Sequence, residues 1–134
     1  MQVEGVHFWD TYSPVVQMIT VHLLLVLSLL LNLKSRSIDF TLAFTQAPID
    51  VPTYLDLPIG FDFVLELKKT LYGLHQAGLN WYDTLQQQLL SLGFCQSVLD
   101  PCCYLGMISY YFAKSMIAYC SVQMIAKLQS WFKN

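Results

Sequence analysis

Apolar and polar positions along the chain fall into a few distinct regimes. From Val15 to Leu33 there is no charged side chain, and Val21-His22-Leu23-Leu24-Leu25-Val26-Leu27-Ser28-Leu29-Leu30-Leu31 is almost continuously apolar. Ser13 followed by Pro14 is a helix-start signal, with serine as the cap and proline at the first helical position. The pattern predicts a helix over residues 15–33. A second helix is predicted over residues 76–92, where Leu79, Tyr82, Leu85, Leu89 and Leu92 recur at steps of three and four and Gln86, Gln87 and Gln88 face outward. Gly93 then suits a helix C-terminus. Residues 1–14 read as extended or irregular. Ser37 to Pro48 reads as a buried strand running into a turn, stopped by Ala47-Pro48. Short strands are predicted at Thr53–Leu55 and Val64–Leu67, with a turn over Gly60–Phe63. Cys102–Leu105 and Ser109–Phe112 read as paired strands around Gly106, where Tyr110, Tyr111 and Phe112 serve sheet packing.

The nineteen residues from 15 to 33 are long enough to span a bilayer, with Lys34 and Arg36 just beyond. Gln17, Thr20, His22, Ser28 and Asn32 dilute the hydropathy. A helix apolar on all sides is either buried in a core or set in a membrane, so both readings stay open here.

Composition sharpens the picture. Of 134 residues, 55% are hydrophobic and only 12% charged, below the quarter usual for a soluble domain. The chain is long enough for one modest core, and it reads as a core fragment stripped of charged surroundings. The net charge is −2, and seven Lys and Arg scattered along the chain do not make the basic face of a self-sufficient nucleic-acid binder. Cys95, Cys102, Cys103 and Cys120 form no C-x-x-C pair and lie far in sequence from His7, His22 and His75, so no zinc site is expected. The cysteines read as reduced core residues. The first fourteen residues carry Glu4 and Asp10 and no Lys or Arg, unlike a signal peptide. An intracellular location, cytoplasmic or nuclear, is the expectation.

Asp39 is the candidate chemical residue, because a lone carboxylate in an apolar strand is costly without a partner or a metal. The segment Ser37-Ile38-Asp39-Phe40-Thr41-Leu42-Ala43-Phe44 resembles motif A of reverse transcriptases. Thr70-Leu71-Tyr72-Gly73-Leu74-His75-Gln76-Ala77-Gly78-Leu79-Asn80-Trp81-Tyr82 resembles the Ser-Leu-Tyr-Gly-Leu-Lys-Gln-Ala-x-x-x-Trp-Tyr signature of copia-type retrotransposon reverse transcriptases. Three more segments resemble the family in the same order: Gly5 to Val16, Tyr54 to Phe61, and Leu92-Gly93-Phe94 followed by Ser97 and Asp100-Pro101-Cys102. The resemblance covers roughly residues 2–105.

That resemblance implies an α+β fold: a partial polymerase palm with part of the fingers, a small antiparallel sheet backed by two long helices. It implies a reverse transcriptase fragment over residues 1–126 and a degenerate tail over 127–134. Family partners would be a nucleic acid template-primer and a deoxynucleoside triphosphate, with Mg2+ as the family's cofactor. Asp39 would be the catalytic metal ligand, Phe44 the residue under the incoming sugar, and Tyr72, Gly73 and Gln76 the pocket lining.

One part of the pattern is broken. The family's Tyr-Val-Asp-Asp hairpin aligns best with Ile117-Ala118-Tyr119-Cys120-Ser121-Val122-Gln123-Met124-Ile125, which puts Ser121 and Val122 where the two carboxylates belong. No Asp or Glu follows Asp100. The fingers' Lys and Arg for the triphosphate, the thumb and the RNase H region are also without counterparts. The expected product is an inactive remnant of an RNA-directed DNA polymerase. Two other readings remain: a small membrane protein anchored by residues 15–33, and a non-catalytic interaction protein with exposed apolar surface.

Overall fold

The computed structural model describes residues 2–32, 35–106, 110–114 and 117–121. The chain divides into two compact units: Met1–Ser13 with Leu42–Gln86, and Pro14–Thr41 with Gln87–Asn134. Among the described residues, helices alternate with small antiparallel sheets, an α+β arrangement.

The second unit is built on a five-stranded antiparallel sheet. Its strands are β1 (Ser35–Asp39), β4 (Cys95–Gln96), β5 (Cys103–Leu105), β6 (Tyr110–Lys114) and β7 (Ile117–Ser121). They lie in the order β1-β7-β6-β5-β4. The predicted pairing around Gly106 is present, with Cys103 opposite Phe112 and Leu105 opposite Tyr110. Ser109 and the tail over residues 127–134 lie outside the described residues.

Helix α1 runs over Met18–Leu30, thirteen residues, shorter at both ends than the stretch 15–33. Asp100 accounts for its start. Its buried carboxylate accepts the Gln17 backbone N–H at 3.0 Å and the Cys102 N–H at 2.9 Å. Gln17 stays extended, with φ −74° and ψ 134°, so Ser13-Pro14 does not open the helix. One carboxylate thus serves a helix N-terminus and the turn into β5, where an acceptor is favoured by the unsatisfied N–H groups. The helix is about 20 Å long at 1.5 Å per residue. Among the described residues, no helix is long and apolar enough to cross a membrane. Val21, Leu24 and Ser28 are buried on one stripe, whereas Leu23, Leu29 and Leu30 are exposed.

Burial pushes the Cys102 thiol up to about 11, with Asp100 and then Cys103 adding to the effect. Cys102 and Cys103 are buried, as expected of core residues, but Cys95 is exposed.

The first unit carries a separate two-stranded sheet, β2 (Pro48–Asp56) with β3 (Val64–Lys69). β2 is longer than the predicted Thr53–Leu55. A register irregularity between Pro48 and Thr53 accommodates Pro52, which has no N–H to give to a ladder. The strand read from Ser37 into a turn at Ala47-Pro48 is shorter than expected. It ends at Asp39, Leu42 takes φ +54°, and Ala43–Gln46 forms a single helical turn, α2. Thr45 Oγ1 donates to the Leu42 carbonyl at 2.8 Å and holds that turn. Thr70 closes the base of the ribbon, its N–H on the Ala47 carbonyl and its hydroxyl on the Pro48 carbonyl.

Helix α3 spans Ala77–Ser91, close to the predicted 76–92. Its buried stripe is Ala77, Trp81, Leu85 and Leu89 at steps of four. Leu79 and Tyr82 are only half-buried, because the helix turns a face centred on Trp81 inward. The helix ends in a Schellman closure: the Gly93 N–H donates to Leu90 O and the Phe94 N–H to Leu89 O, with Gly93 at φ +85°.

A Cβ at Gly93 meets no atom within 4 Å, so left-handed backbone strain is the whole cost of adding one. Gly93→Ala is expected to destabilise the chain by about 1–2 kcal/mol, read as a lower urea midpoint with an unchanged slope.

Candidate functional site

In the first unit, the second signature forms the turn that leads into α3. Leu71 and Leu74 carbonyls accept the Leu74 and Ala77 N–H groups, and Gly73 supplies φ +93° at the bend. A Cβ there would meet nothing within 4 Å, so backbone conformation rather than crowding calls for glycine. Phe44 and Tyr72, both predicted as site residues, are brought together with ring centroids 4.7 Å apart and planes at 52°. Tyr72 is half exposed. Tyr72 and Gly73 line a cavity of about 350 Å³ that Gln2, His7, Tyr54 and His75 also line. Among the described residues, no Asp, Glu, Lys or Arg lines it. Such a wall offers hydrogen bonds and aromatic faces but no countercharge for a triphosphate.

Gln76 sits behind that wall, bonded to Gln2 and His7. It is fully buried, is not among the lining residues, and its amide is engaged by the chain itself. Its Nε2 donates to the His7 carbonyl at 3.2 Å, and its Oε1 accepts from Gln2 Nε2 at 2.9 Å. Gln2 Oε1 accepts the His75 N–H at 2.9 Å, and the Phe8 and His75 rings stack at 4.6 Å. The N-terminal segment is thus clasped to the signature turn. Sequence reasoning missed Gln2 and His7 as wall residues, and no spacing or motif marks them, because their role exists only through contacts about seventy residues away.

On the helix beyond, Asn80 is buried and its Nδ2 donates to Asp50 Oδ1 at 2.9 Å. Burial raises the Asp83 carboxyl above its ordinary value, and the carboxylates of Asp10 and Asp50 add to this.

In the second unit, Asp39 ends β1 with an exposed side chain. The antiparallel register with β7 places Asp39 opposite Ile117, Ser37 opposite Tyr119 and Ser35 opposite Ser121. Ser121 is therefore four ladder positions from Asp39, roughly 13 Å along the strand. Two catalytic ions lie about 4 Å apart and need carboxylates converging on them. A carboxylate at position 121 of this ladder would stand at the far end from Asp39. Val122 lies outside the described residues. Among the described residues, no group of three or more His, Cys, Asp or Glu could hold a metal ion. The residues described do not fit a magnesium pair at Asp39.

The strand–turn–helix signature, the motif A segment and their order belong to one class of protein. The family described as reverse transcriptase (RNA-dependent DNA polymerase) matches residues 1–126, and the chain belongs to it. Within that family its relatives are copia-type retrotransposon polyproteins, of which it corresponds to a fragment of the reverse transcriptase region. It is 32% identical over 109 residues to the retrovirus-related Pol polyprotein from transposon TNT 1-94 of Nicotiana tabacum, covering 77% of this chain and 8% of that protein. It is 33% identical over 102 residues to the Pol polyprotein from transposon RE1 of Arabidopsis thaliana, covering 72% and 7%. It is 40% identical over 89 residues to the transposon Ty1-ER2 Gag-Pol polyprotein of Saccharomyces cerevisiae, covering 60% and 5%. The chain thus spans less than a tenth of each of these relatives. No solved structure matches it significantly.

Gln76→Ala would leave the Gln2 amide and the His7 carbonyl without their partner, and is expected to cost about 2 kcal/mol in urea denaturation. A carboxyl group raised in the folded chain favours folding while protonated and opposes it once ionised. The Asp83 contribution is therefore present below the ordinary value of 3.8 and is lost as pH climbs through the raised pKa. Asp83→Asn is expected to be more stable than the parent at pH 7, with the advantage vanishing below pH 3.8 in thermal melts across that range.

Proposed function

We propose that the chain is a remnant of a polymerase palm with part of the fingers, and that it no longer catalyses the ancestral reaction. That reaction is template-directed addition of deoxynucleotides to a primer 3′ end. The five-stranded sheet is read as the palm sheet, with β1 carrying motif A. Asp39 is the surviving motif A carboxylate, and Phe44 with Tyr72 forms the aromatic pair at the sugar position. Gly73 shapes the bend beside them, and Gln76 has become a structural clasp. Template-primer and nucleotide are the ancestral partners, and the place of action is intracellular.

The observation that carries the inactive reading is the absence of any Asp or Glu from residue 101 to 134. The Tyr119-Cys120-Ser121-Val122 alignment then has no carboxylate to set against Asp39. Chemistry of this kind depends above all on stabilising charge at the reacting phosphate. The distance between Asp39 and Ser121 in the ladder supports the same reading.

Primer extension by the purified chain, with magnesium or manganese and an RNA or DNA template, tests this. The expected result is no extension above that of Asp39→Asn. Extension by the parent that disappears in Asp39→Asn would overturn the reading and require a different source of the missing carboxylates.

A further inference from the structure

The ribbon of β2 and β3 is incomplete as a sheet. Two-stranded antiparallel ribbons are marginal in water, and three or more strands are needed for independent stability. Among the described residues, no third strand pairs with it. The two outer edges are not equivalent. β2 carries Pro52, which blunts its edge. β3, Val64-Leu65-Glu66-Leu67-Lys68-Lys69, has no proline and is exposed along nearly its whole length.

We propose that β3 pairs antiparallel with β3 of a second copy of this chain, about a two-fold axis through Leu67, giving a four-stranded sheet. Charge selects both the occupant and the register. When identical strands pair about a two-fold axis normal to the sheet, facing residues share a face, so the axis must pass through a residue. An axis at Glu66 sets Glu66 against its own copy. An axis at Lys68 does the same with Lys68. An axis at Leu65 overlaps only residues 64–66 of each strand. The axis at Leu67 overlaps residues 65–69 and places each Glu66 opposite Lys68 of the other copy, twice over.

Glu66 and Lys68 lie on one face of β3, with Oε2 and Nζ 2.7 Å apart, and both side chains are largely open to solvent. They pair with each other within the strand, and their exposure leaves both accessible to a cross-strand partner that exchanges this pair for an intermolecular one. On the opposite face, Leu55 pairs with Leu65 and Thr53 with Leu67. Across the seam the same register sets Leu67 opposite its own copy and Leu65 opposite Lys69 of the other chain, so the apolar contact there is centred on the Leu67 pair.

Sedimentation equilibrium of the whole chain over a wide concentration range tests the proposal. The parent is expected to dimerise. Glu66→Lys and Lys68→Glu are each expected to weaken the dimer about tenfold, since every reversal acts at two symmetric positions. An equimolar mixture of the two single variants is expected to associate as well as the parent, because each then meets the opposite charge. So is the double exchange Glu66→Lys with Lys68→Glu. Circular dichroism checks that each variant is folded. Where a single variant fails to fold, the double exchange decides by the same measure: a parent-like dimer supports the register and its loss overturns it. A parent that stays monomeric, single reversals without effect, or a mixture no tighter than its components would each overturn the proposal.

Discussion

The pairing of β1 with β7 is the constraint on which the functional reading turns. It joins strands about eighty residues apart in the chain, and it assigns every position of the motif A strand a fixed neighbour. Antiparallel strands advance about 3.4 Å per residue, so a register is also a set of distances. Asp39 faces Ile117, and Ser121 faces Ser35. Motif composition and ladder geometry are independent observations. The first lacks the carboxylates after Asp100, and the second separates the one position that could be compared.

Asp100 shows how a buried charge is tolerated in the same unit. Its two carboxylate oxygens are both engaged by backbone N–H groups, from Gln17 and Cys102. Such bonds to an ionised acceptor are stronger than neutral ones and offset the desolvation of the group. The Asp-Pro-Cys segment therefore has a structural office here: it begins α1 and turns the chain into β5. Burial, with the Asp100 carboxylate adding to it, raises the Cys102 thiol in the same segment.

The first unit is held together differently. The signature turn is fastened by the N-terminal segment through Gln2, His7 and Gln76. Gln76, a position of the family signature, makes its hydrogen bonds inside the fold. The cavity beside it keeps aromatic and neutral polar walls, and the rings of Phe44 and Tyr72 pack against each other.

Much of this was legible in the sequence because it is local. The period of α3, the closing role of Gly93 and the strands around Gly106 follow from side-chain spacing and from the φ that only glycine adopts freely. The family followed from several motifs in order. Where local signals competed with distant ones, the distant ones won. Ser13-Pro14 is a good helix start, yet α1 begins at Met18 because Asp100 takes the Gln17 N–H. Leu79 and Tyr82 fit a helical stripe, yet Trp81 is the residue buried. The run from Ser37 to Pro48 reads as a strand leading into a turn, yet the strand ends at Asp39 and Leu42 opens a helical turn. Gln76 reads as a signature position at the turn, and only the fold shows it hydrogen-bonded to Gln2 and His7. By itself the sequence determined which residue types are present, and with them the missing carboxylates. Only the tertiary structure decided which residues face one another, because register and burial depend on partners many positions away that no local pattern encodes.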